Sequence, residues 1–410
     1  MDILPARGES TWSSGESAMD SDRIKILFII DYFHRTGGTE KHLAQLIAGL
    51  PAELFHCSVV AFDLGKNPLL DGLRMRGVPI INLPVGREYV PNAAVQAWRL
   101  STLMRSDKYD IVQTFHQKAD SYGAVIAWLS GVKHLVSSKR DTGQLRRPWH
   151  VFLNRRLRSM FERVIVVGDA VAAAVMANDR IDPVRIVKIY NGVDTVRFSP
   201  PAAADALEAR RSLGFAPQDF VIGMVAGFRP EKCYDVFFDG LSKALGRIPS
   251  LKALAVGAGP LLDHFRGVCT RGPLRDKVTF AGDTADVERY LWAMDVGCLV
   301  SGNEGFSNAV LEKMAVGLPM IVTAVGGNTE AVVHGESGFV ILPFDAEAFC
   351  EALVAIHADP AKRAAMGHRS RQLVEERFSL DWMCAQHAQL YLSLCDPARV
   401  ANGRLRARGQ

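Results

Sequence analysis

A chain of 410 residues exceeds what one ordinary hydrophobic core supports, so two domains are expected. Its composition, 48% hydrophobic and 22% charged, is that of a globular protein, and no apolar run approaches the roughly 20 residues that cross a bilayer. The net charge of +4 is too small to argue for nucleic acid and is concentrated locally: Lys139 to Arg163 holds eight basic and two acidic residues, a charge of +6 that leaves about −2 elsewhere.

The opening MDILPARGESTWSSGESAMDSD has no apolar segment after a basic start, so it does not read as a secretory signal; a disordered tail over 1–22 is expected. Asp20 and Asp22 there resemble a metal-binding pair, but no strand holds them, and no metal site is predicted. The run IKILFII (24–30) reads as a strand, followed by DYFHRTGGTEKH and a helical pattern to Leu50. Then come HCSVVAF, VPIINL, a helix near 93–105, YDIVQTF, the helix ADSYGAVIAWLSG, KHLVSS, a helix near 148–161, RVIVVG, a helix near 169–178 and VKIYNG. Apolar strands alternating with helices predict βαβ units and a parallel sheet covered on both faces.

After NGVDTVRFSPP the sequence loosens into an alanine-rich stretch, which places the boundary between domains around 197–217. A second series follows: FVIGMVAGF, helix 234–245, LKALAVGAG, helix 260–271, KVTFAG, helix 285–293, VGCLVS, helix 308–316, PMIVTAV and SGFVILP. The predicted fold class is α/β, two doubly wound parallel-sheet domains over 23–200 and 201–380 that face a central cleft. A helix over 381–396 is placed to cross back to the first domain, and a basic tail spans 397–410. The seven cysteines form no CxxC pair and lie in apolar segments, as reduced, buried thiols in a cytosolic protein do.

Ligands of such sheets bind beyond the C-terminal strand ends, so the loops there matter most. Gly37 and Gly38 precede the first helix, where the backbone can approach a ligand and free N–H groups can meet an anion; the pair equally suits an ordinary strand-to-helix turn. Arg229 and Lys232 follow a strand, where two cations can neutralise a diphosphate, although both residues are common in solvated turns. AVGAGPLL offers Gly257 and Gly259 for a loop passing close to a nucleotide. Leu262 stands where a dinucleotide fingerprint needs its third glycine, and no acid ends the next strand, which disfavours a nicotinamide cofactor.

The stretch EGFSNAVLE sets Glu304 and Glu312 eight residues apart. Glu304 follows a strand in a loop with Gly302 and Gly305; Ser307 or Asn308 is a good N-cap, and Glu312 falls about one turn into the helix. The first N–H groups, from Phe306 to Asn308, favour an anion, while carboxylates bind sugar hydroxyls well. One acid on each of two sugars, with a diphosphate between them, is the arrangement of a nucleotide-sugar. A surface acid plus a helix-start acid explains each glutamate singly but not the adjoining glycines.

EGFSNAVLEKMAVGLPMIVTAVGGNTE closely resembles the E-x7-E segment of the family 4 (group 1) retaining glycosyltransferases, which have the GT-B fold. The resemblance extends through GGTE, IYNGVD…RFSP, RPEK, VGAGP and FAGDTADVERYLWAMDV, nearly the whole ordered chain. It implies that Glu304 contacts the transferred sugar, that Glu312 contacts the ribose hydroxyls, and that the amides of Phe306, Ser307 and Asn308 meet phosphates and sugar. Gly326, Gly327 and Glu330 belong to a neighbouring loop implied to shape the same pocket. His116 of TFHQKAD matches a strand-end histidine near the transferred sugar. Many members carry an arginine five before the lysine; here Gly227 stands there, so the resemblance carries Lys232, while Arg229 stays a candidate on charge alone. Cys233 replaces a usual glycine.

The activity so implied is retaining transfer from a nucleotide diphosphate sugar to an acceptor hydroxyl by front-face displacement, with no metal, cofactor or enzyme nucleophile obligatory. Glu304, Lys232 and His116 are the expected catalytic residues. A lipid-linked or saccharide acceptor in bacterial cell-surface polysaccharide or glycolipid assembly would suit a cytoplasmic, peripherally attached member. In LRRPWHVFLNRRLRSMFERV, residues Trp149, Phe152, Leu153, Leu157, Met160, Phe161 and Val164 form an apolar stripe expected to pack on the chain's own sheet. The surrounding arginines suit an anionic membrane surface. A GT-B-type nucleotide-sugar epimerase and an inactive nucleotide-sugar-binding protein are the alternatives.

Overall fold

Strands such as Ile24–Ile30 and Phe220–Val225 are near-continuous apolar runs, a pattern stable only where helices cover both faces of a parallel sheet. The computed structural model, which describes residues 23–34, 37–86, 91–143 and 146–396, has two such sheets. The tails expected over 1–22 and 397–410 lie outside the described residues.

The first unit runs β1 (Ile24–Ile30), α1 (Gly38–Gly49), β2 (Phe55–Ala61), α2 (Pro68–Met75), β3 (Ile80–Asn82), α3 (Pro91–Asp107) and β4 (Ile111–Phe115). It continues with α4 (Ala124–Leu129), β5 (His134–Lys139), α5 (Pro148–Leu157), β6 (Arg163–Val166), α6 (Asp169–Asp179) and β7 (Ile186–Lys188). The seven strands are parallel in the order β3-β2-β1-β4-β5-β6-β7.

The second unit runs α7 (Ala203–Ser212), β8 (Phe220–Val225), α8 (Tyr234–Ala244), β9 (Leu251–Val256), α9 (Leu262–Arg271), β10 (Val278–Gly282), α10 (Val287–Trp292) and β11 (Val296–Leu299). After these come α11 (Asn308–Ala315), β12 (Met320–Thr323), α12 (Asn328–Ala331), β13 (Gly338–Ile341), α13 (Ala346–Ala358), α14 (Pro360–Arg377) and α15 (Leu380–Cys395). Its six parallel strands are ordered β10-β9-β8-β11-β12-β13. Each order reverses direction beside its first strand, β1 or β8, which opens a crevice at the C-terminal strand ends of both sheets.

Helix α15 leaves the second unit and packs on the first: Met383, Cys384, Ala388 and Tyr391 share a core with Leu43, Leu46 and Phe55, and the Tyr391 hydroxyl donates to Gln113 Oε1 at 2.7 Å. Beside this crossing the outgoing and returning connections run together, with Val193 N–H on the Phe378 carbonyl and Leu380 N–H on the Val193 carbonyl, both at 2.9 Å. All seven cysteines are free thiols, Cys57 and Cys395 half-buried and the rest buried. Among the described residues no helix is long and apolar enough to cross a membrane.

The structure differs from the sequence reading in three places. The alanine-rich stretch after residue 200 holds helix α7, tied to the second sheet by Arg210 Nη2 on Asp295 Oδ2 at 2.6 Å; it lacks an apolar stripe because only Ala209 is buried. The helix starting at Ala119 opens with a π-helical turn, Ala119–Gly123, before α4. Helix α5 stops at Leu157, and its buried residue is Asn154, while Trp149 and Phe152 are 42% and 59% exposed. That helix faces polar groups of the first unit, so its apolar stripe turns partly outward instead of onto the sheet.

Candidate active site

The second-unit wall of the cleft starts where β11 ends. Ser301 is buried, and its hydroxyl donates to Glu304 Oε1 at 2.7 Å. The same oxygen is ion-paired with Lys232, which the 3-10 turn Pro230–Lys232 carries at the end of β8. Glu304 and Lys232, 72 residues apart, therefore meet at neighbouring strand ends. Ser307 is the N-cap of α11 but makes no side-chain cap bond, so the first N–H groups of that helix are not satisfied by their own cap. Asn308 is the first helical residue.

Glu312 lies half-buried in the second turn of α11. Burial raises its carboxyl above the usual range, opposed by Lys41 of α1, by Lys313 and by Arg197, which is itself paired with Glu288. The two predicted acids thus have different surroundings: Glu304 is held by one cation and one hydroxyl, Glu312 by a field that includes the first unit.

Arg229 is exposed and, among the described residues, makes no ion pair. Its chain folds over Gly227, where a Cβ would lie 3.7 Å from Arg229 Nε. A Cβ at 227 would thus be in ordinary contact with the Arg229 stem. Gly257 and Gly259, with φ of 140° and 155°, pass so close to the carbonyls of Ala226 and Phe228 that no Cβ fits, which brings the loop after β9 against the loop carrying Arg229.

The first-unit wall faces these groups. Gly37 is the N-cap and Gly38 the first residue of α1, and a Cβ at Gly38 would be 3.7 Å from Asn308 Nδ2. The N-termini of α1 and α11 therefore approach one another across the cleft. His116 follows β4 in a left-handed conformation, φ 74°, with its ring stacked on Tyr32, centroids 4.7 Å apart. Asp31, at the end of β1, accepts the N–H groups of Lys118 and Ala119 at 2.9 and 2.6 Å and so holds the turn that follows His116. Burial pushes the Asp31 carboxyl up to about 7 against those two bonds.

Asp31, Tyr32, His116, Lys139, Arg140 and, from the second unit, Asn303 line a cavity of about 380 Å³. Its floor is a buried ionic network. Lys139 Nζ lies 2.7 Å from Asp120 and 3.8 Å from Asp179, and Arg146 lies 2.8 Å from the same Asp179 oxygen. Asn154 of α5 donates to Asp179 Oδ1 at 3.3 Å and takes a bond from Gln117 at 2.8 Å, the polar contact that buries this residue.

Asn191 joins the two walls. It accepts from Arg140 Nη2 at 2.7 Å and donates to the Phe306 carbonyl at 3.0 Å and to Asn308 Oδ1 at 2.7 Å. Burial lowers the Arg140 guanidinium to about 9, opposed by the nearby Glu40 carboxylate.

The predicted residues Glu304, Lys232, Phe306, Ser307, Asn308 and Gly38 thus come together. His116 stands on the opposite wall, and Arg229, Gly257 and Gly259 occupy adjoining loops. In the neighbouring loop, Gly326 and Gly327 lie against Glu304 to Phe306, while α12 directs the Glu330 carboxylate at the start of α6 in the first unit. Asp31, Lys139, Arg140 and Asn191 were not singled out from sequence; for Asn191 the signal was its place in IYNGVD, just before the crossover. Chemically, Lys232 and the start of α11 supply positive charge, and Glu304 supplies a hydroxyl acceptor beside it.

Two family models match the chain: "Glycosyltransferase Family 4" over residues 36–197 and "Glycosyl transferases group 1" over 219–359. A lipopolysaccharide core biosynthesis mannosyltransferase, LpsB, of Rhizobium meliloti (strain 1021) is 29% identical over 266 residues, 63% of this chain and 71% of that one. The UDP-Gal:alpha-D-GlcNAc-diphosphoundecaprenol alpha-1,3-galactosyltransferase of Escherichia coli is 27% identical over 337 residues, 78% and 85% of the two chains. Among solved structures, Anabaena Alr3699/HepE in complex with UDP superposes with a TM-score of 0.81 at 22% identity, over 90% of this chain and 100% of that one. WaaG, a glycosyltransferase of lipopolysaccharide biosynthesis, superposes with a TM-score of 0.67 at 17% identity, over 90% and 100%. These structural likenesses establish the GT-B fold. With its two halves matched in order, the chain belongs to the group 1, family 4 glycosyltransferases, which are retaining hexosyltransferases.

Proposed function

We propose that this glycosyltransferase moves a sugar from a nucleotide diphosphate sugar to the hydroxyl of a lipid-linked or saccharide acceptor in cell-surface glycan assembly. The observation that carries the reading is the meeting of Lys232, Glu304 and the start of α11 opposite Gly38. Relatives named for lipopolysaccharide core and diphosphoundecaprenol-linked substrates support the acceptor class. Structures of HepE with UDP and with UDP-glucose support the donor class.

In this scheme the diphosphate lies against Lys232 and the N–H groups of residues 306–308, and Glu304 accepts hydroxyls of the transferred sugar. Glu312 holds the ribose. The bond from the anomeric carbon to the diphosphate oxygen breaks while the acceptor oxygen bonds to that carbon on the same face. The acceptor proton passes to the departing diphosphate oxygen. Positive charge already in place where negative charge develops is usually the largest catalytic term, which makes Lys232 the dominant group. His116 and Asp31 border the acceptor side, and closure of the cleft excludes water.

The exposed Trp149 and Phe152 of α5, with Arg156 5.1 Å over the Phe152 ring, support peripheral attachment to an anionic membrane from the cytoplasmic side. Salt-sensitive flotation with anionic liposomes tests that placement; absence of flotation removes it. The reaction itself is tested with a panel of UDP-, GDP-, ADP- and dTDP-sugars, following diphosphate release by wild type and Glu304→Ala. Release from one donor, lost in the variant, is expected. No binding of any free nucleotide by calorimetry would sink the reading.

A further inference from the structure

Glu330 belongs to the GGNTE loop, which the scheme above does not use. Both of its carboxylate oxygens are engaged by the other domain. Oε1 accepts the backbone N–H of Asp169, the first residue of α6, at 2.8 Å; Oε2 accepts from the Tyr190 hydroxyl at 3.0 Å and lies 3.5 Å from Lys188 Nζ. Lys188 also reaches Asp169 Oδ1 at 2.7 Å, closing a ring of charge-assisted contacts. The Glu330 side chain is only 12% exposed, so this is not an ordinary solvated surface pair.

A carboxylate at a helix start is common, but it normally comes from the helix's own cap. The N-cap of α6 is Gly168, which has no side chain to offer, and a Cβ there would stand 2.7 Å from Glu330 Oε1. The cap is supplied from 161 residues away, across the cleft.

The other side of the same loop supports the segment that carries Glu304. Gly327 N–H donates to the Gly305 carbonyl at 2.7 Å, and the Phe306 ring packs where a Cβ of Gly327 would be. Gly326, with φ 53°, lies against the Glu304 carbonyl. Tyr190, which bonds Glu330, also sets its ring 5.2 Å from that of Phe306. One short loop therefore touches the first domain and the backbone of Glu304 to Phe306 at once.

We propose that Glu330 is a positioning residue that latches the two domains, so that closing the cleft and fixing the Glu304–Phe306 segment are one event. The kinetic part of this proposal rests on the transferase reading; the structural part does not. A looser latch admits water to the donor, so hydrolysis gains on transfer.

The test uses the full chain with spin labels at Val184→Cys and Val268→Cys, one exposed site in each domain. In Glu330→Ala the inter-domain distance distribution read by pulsed electron paramagnetic resonance broadens and moves to longer values. In Glu330→Gln, whose amide oxygen still accepts from Asp169 N–H, it stays near wild type. Tyr190→Phe removes one bond without disturbing the helix cap and gives an intermediate shift. With the sugar nucleotide identified by the donor panel, Glu330→Ala lowers transfer about tenfold. Its ratio of hydrolysis to transfer rises while donor KM changes by less than about twofold. Unchanged spacing in a folded Glu330→Ala protein overturns the latch, whatever turnover does. Wild type inactive with every sugar nucleotide would remove the transferase reading, and the spacing measurement would still decide the latch.

Discussion

The two walls of the cleft are built by opposite means. The second-domain wall is mostly backbone: glycines at 257, 259, 326 and 327, an uncapped helix start, and one ion pair, Lys232–Glu304. The first-domain wall is mostly buried side chains, Asp120, Lys139, Asp179 and Arg146, drawn from four separate segments. Backbone N–H groups suit a fixed anion such as a diphosphate and need little beyond a local motif. A buried ionic network must be satisfied in full, and it fixes the shape of the cavity above it. The comparison predicts that the first wall carries stability and the second carries rate.

Lys139→Met sharpens that division most. It leaves Asp120 and Asp179 with a lost cation partner in a site where Lys139 is 7% exposed, and removal of one partner of a buried pair costs about 3–5 kcal/mol. Lys243→Met, which removes an exposed partner of Glu347 on the second domain, leaves the urea midpoint close to wild type because water screens that pair. Urea unfolding of the two variants checks this; equal costs would erase the distinction between the walls.

Lys232→Ala is the converse. In the proposed scheme, loss of a preorganised cation at the departing diphosphate lowers kcat by about 10² to 10³. Unfolding moves by less than for Lys139, about 1–3 kcal/mol, because Lys232 is 21% exposed and Glu304, 11% exposed, keeps the Ser301 hydroxyl when its cation is lost. Nucleotide diphosphate release and urea unfolding on one preparation separate the two effects. A loss of stability larger than the loss of rate would place Lys232 with the structural network instead.

The same contrast explains what was legible in the sequence. Both sheets were readable because parallel strands buried on two faces are unbroken apolar runs, and the E-x7-E wall was readable because its glycines and acids are contiguous. The first wall was not: residues 120, 139, 146 and 179 meet only through the order of β4, β5 and β6, and no local spacing announces them. Helix α5 misled because Asn154, one amide on an apolar stripe, outweighs Trp149 and Phe152 once Asp179 and Gln117 lie beneath it. The contacts of Glu330 were not legible, since the first domain's Asp169 and Tyr190 are distant from it in sequence.

A pH-dependent effect belongs to Asp31. Its folded carboxyl holds a proton up to about 7, above its ordinary value of 3.8, because burial outweighs its two backbone bonds. The folded state therefore binds more protons than the unfolded chain between those values. The contribution is full below about pH 4 and is lost as pH rises through 7, at up to about 1.4 kcal/mol per pH unit. Asp31→Asn flattens this slope and leaves the protein more stable than wild type at pH 8, while transfer falls as the turn behind His116 loosens. Urea midpoints from pH 4 to 8 read the effect. Parallel slopes in the two proteins would show that Asp31 does not carry it.

The smallest effect lies beside Lys232. Cys233 adopts φ 49° and ψ 50°, the left-handed region that costs a side-chain-bearing residue roughly 1–2 kcal/mol and a glycine almost nothing. The turn after β8 needs that conformation to pass from Pro230–Lys232 into α8, which accounts for the glycine usual at this place. Against the strain stands a buried thiol, 6% exposed, lying against Gly302, whose contacts a glycine forfeits. The two nearly offset, so Cys233→Gly changes stability by about 1 kcal/mol or less. Because relief of strain acts on the backbone that aims Lys232, the donor KM responds more than the unfolding midpoint does. Cys233→Ala separates the terms: it loses the packing and keeps the strain, so it falls below both other proteins in urea. If it matched Cys233→Gly, left-handed strain at this turn would play no part in how the second wall is held.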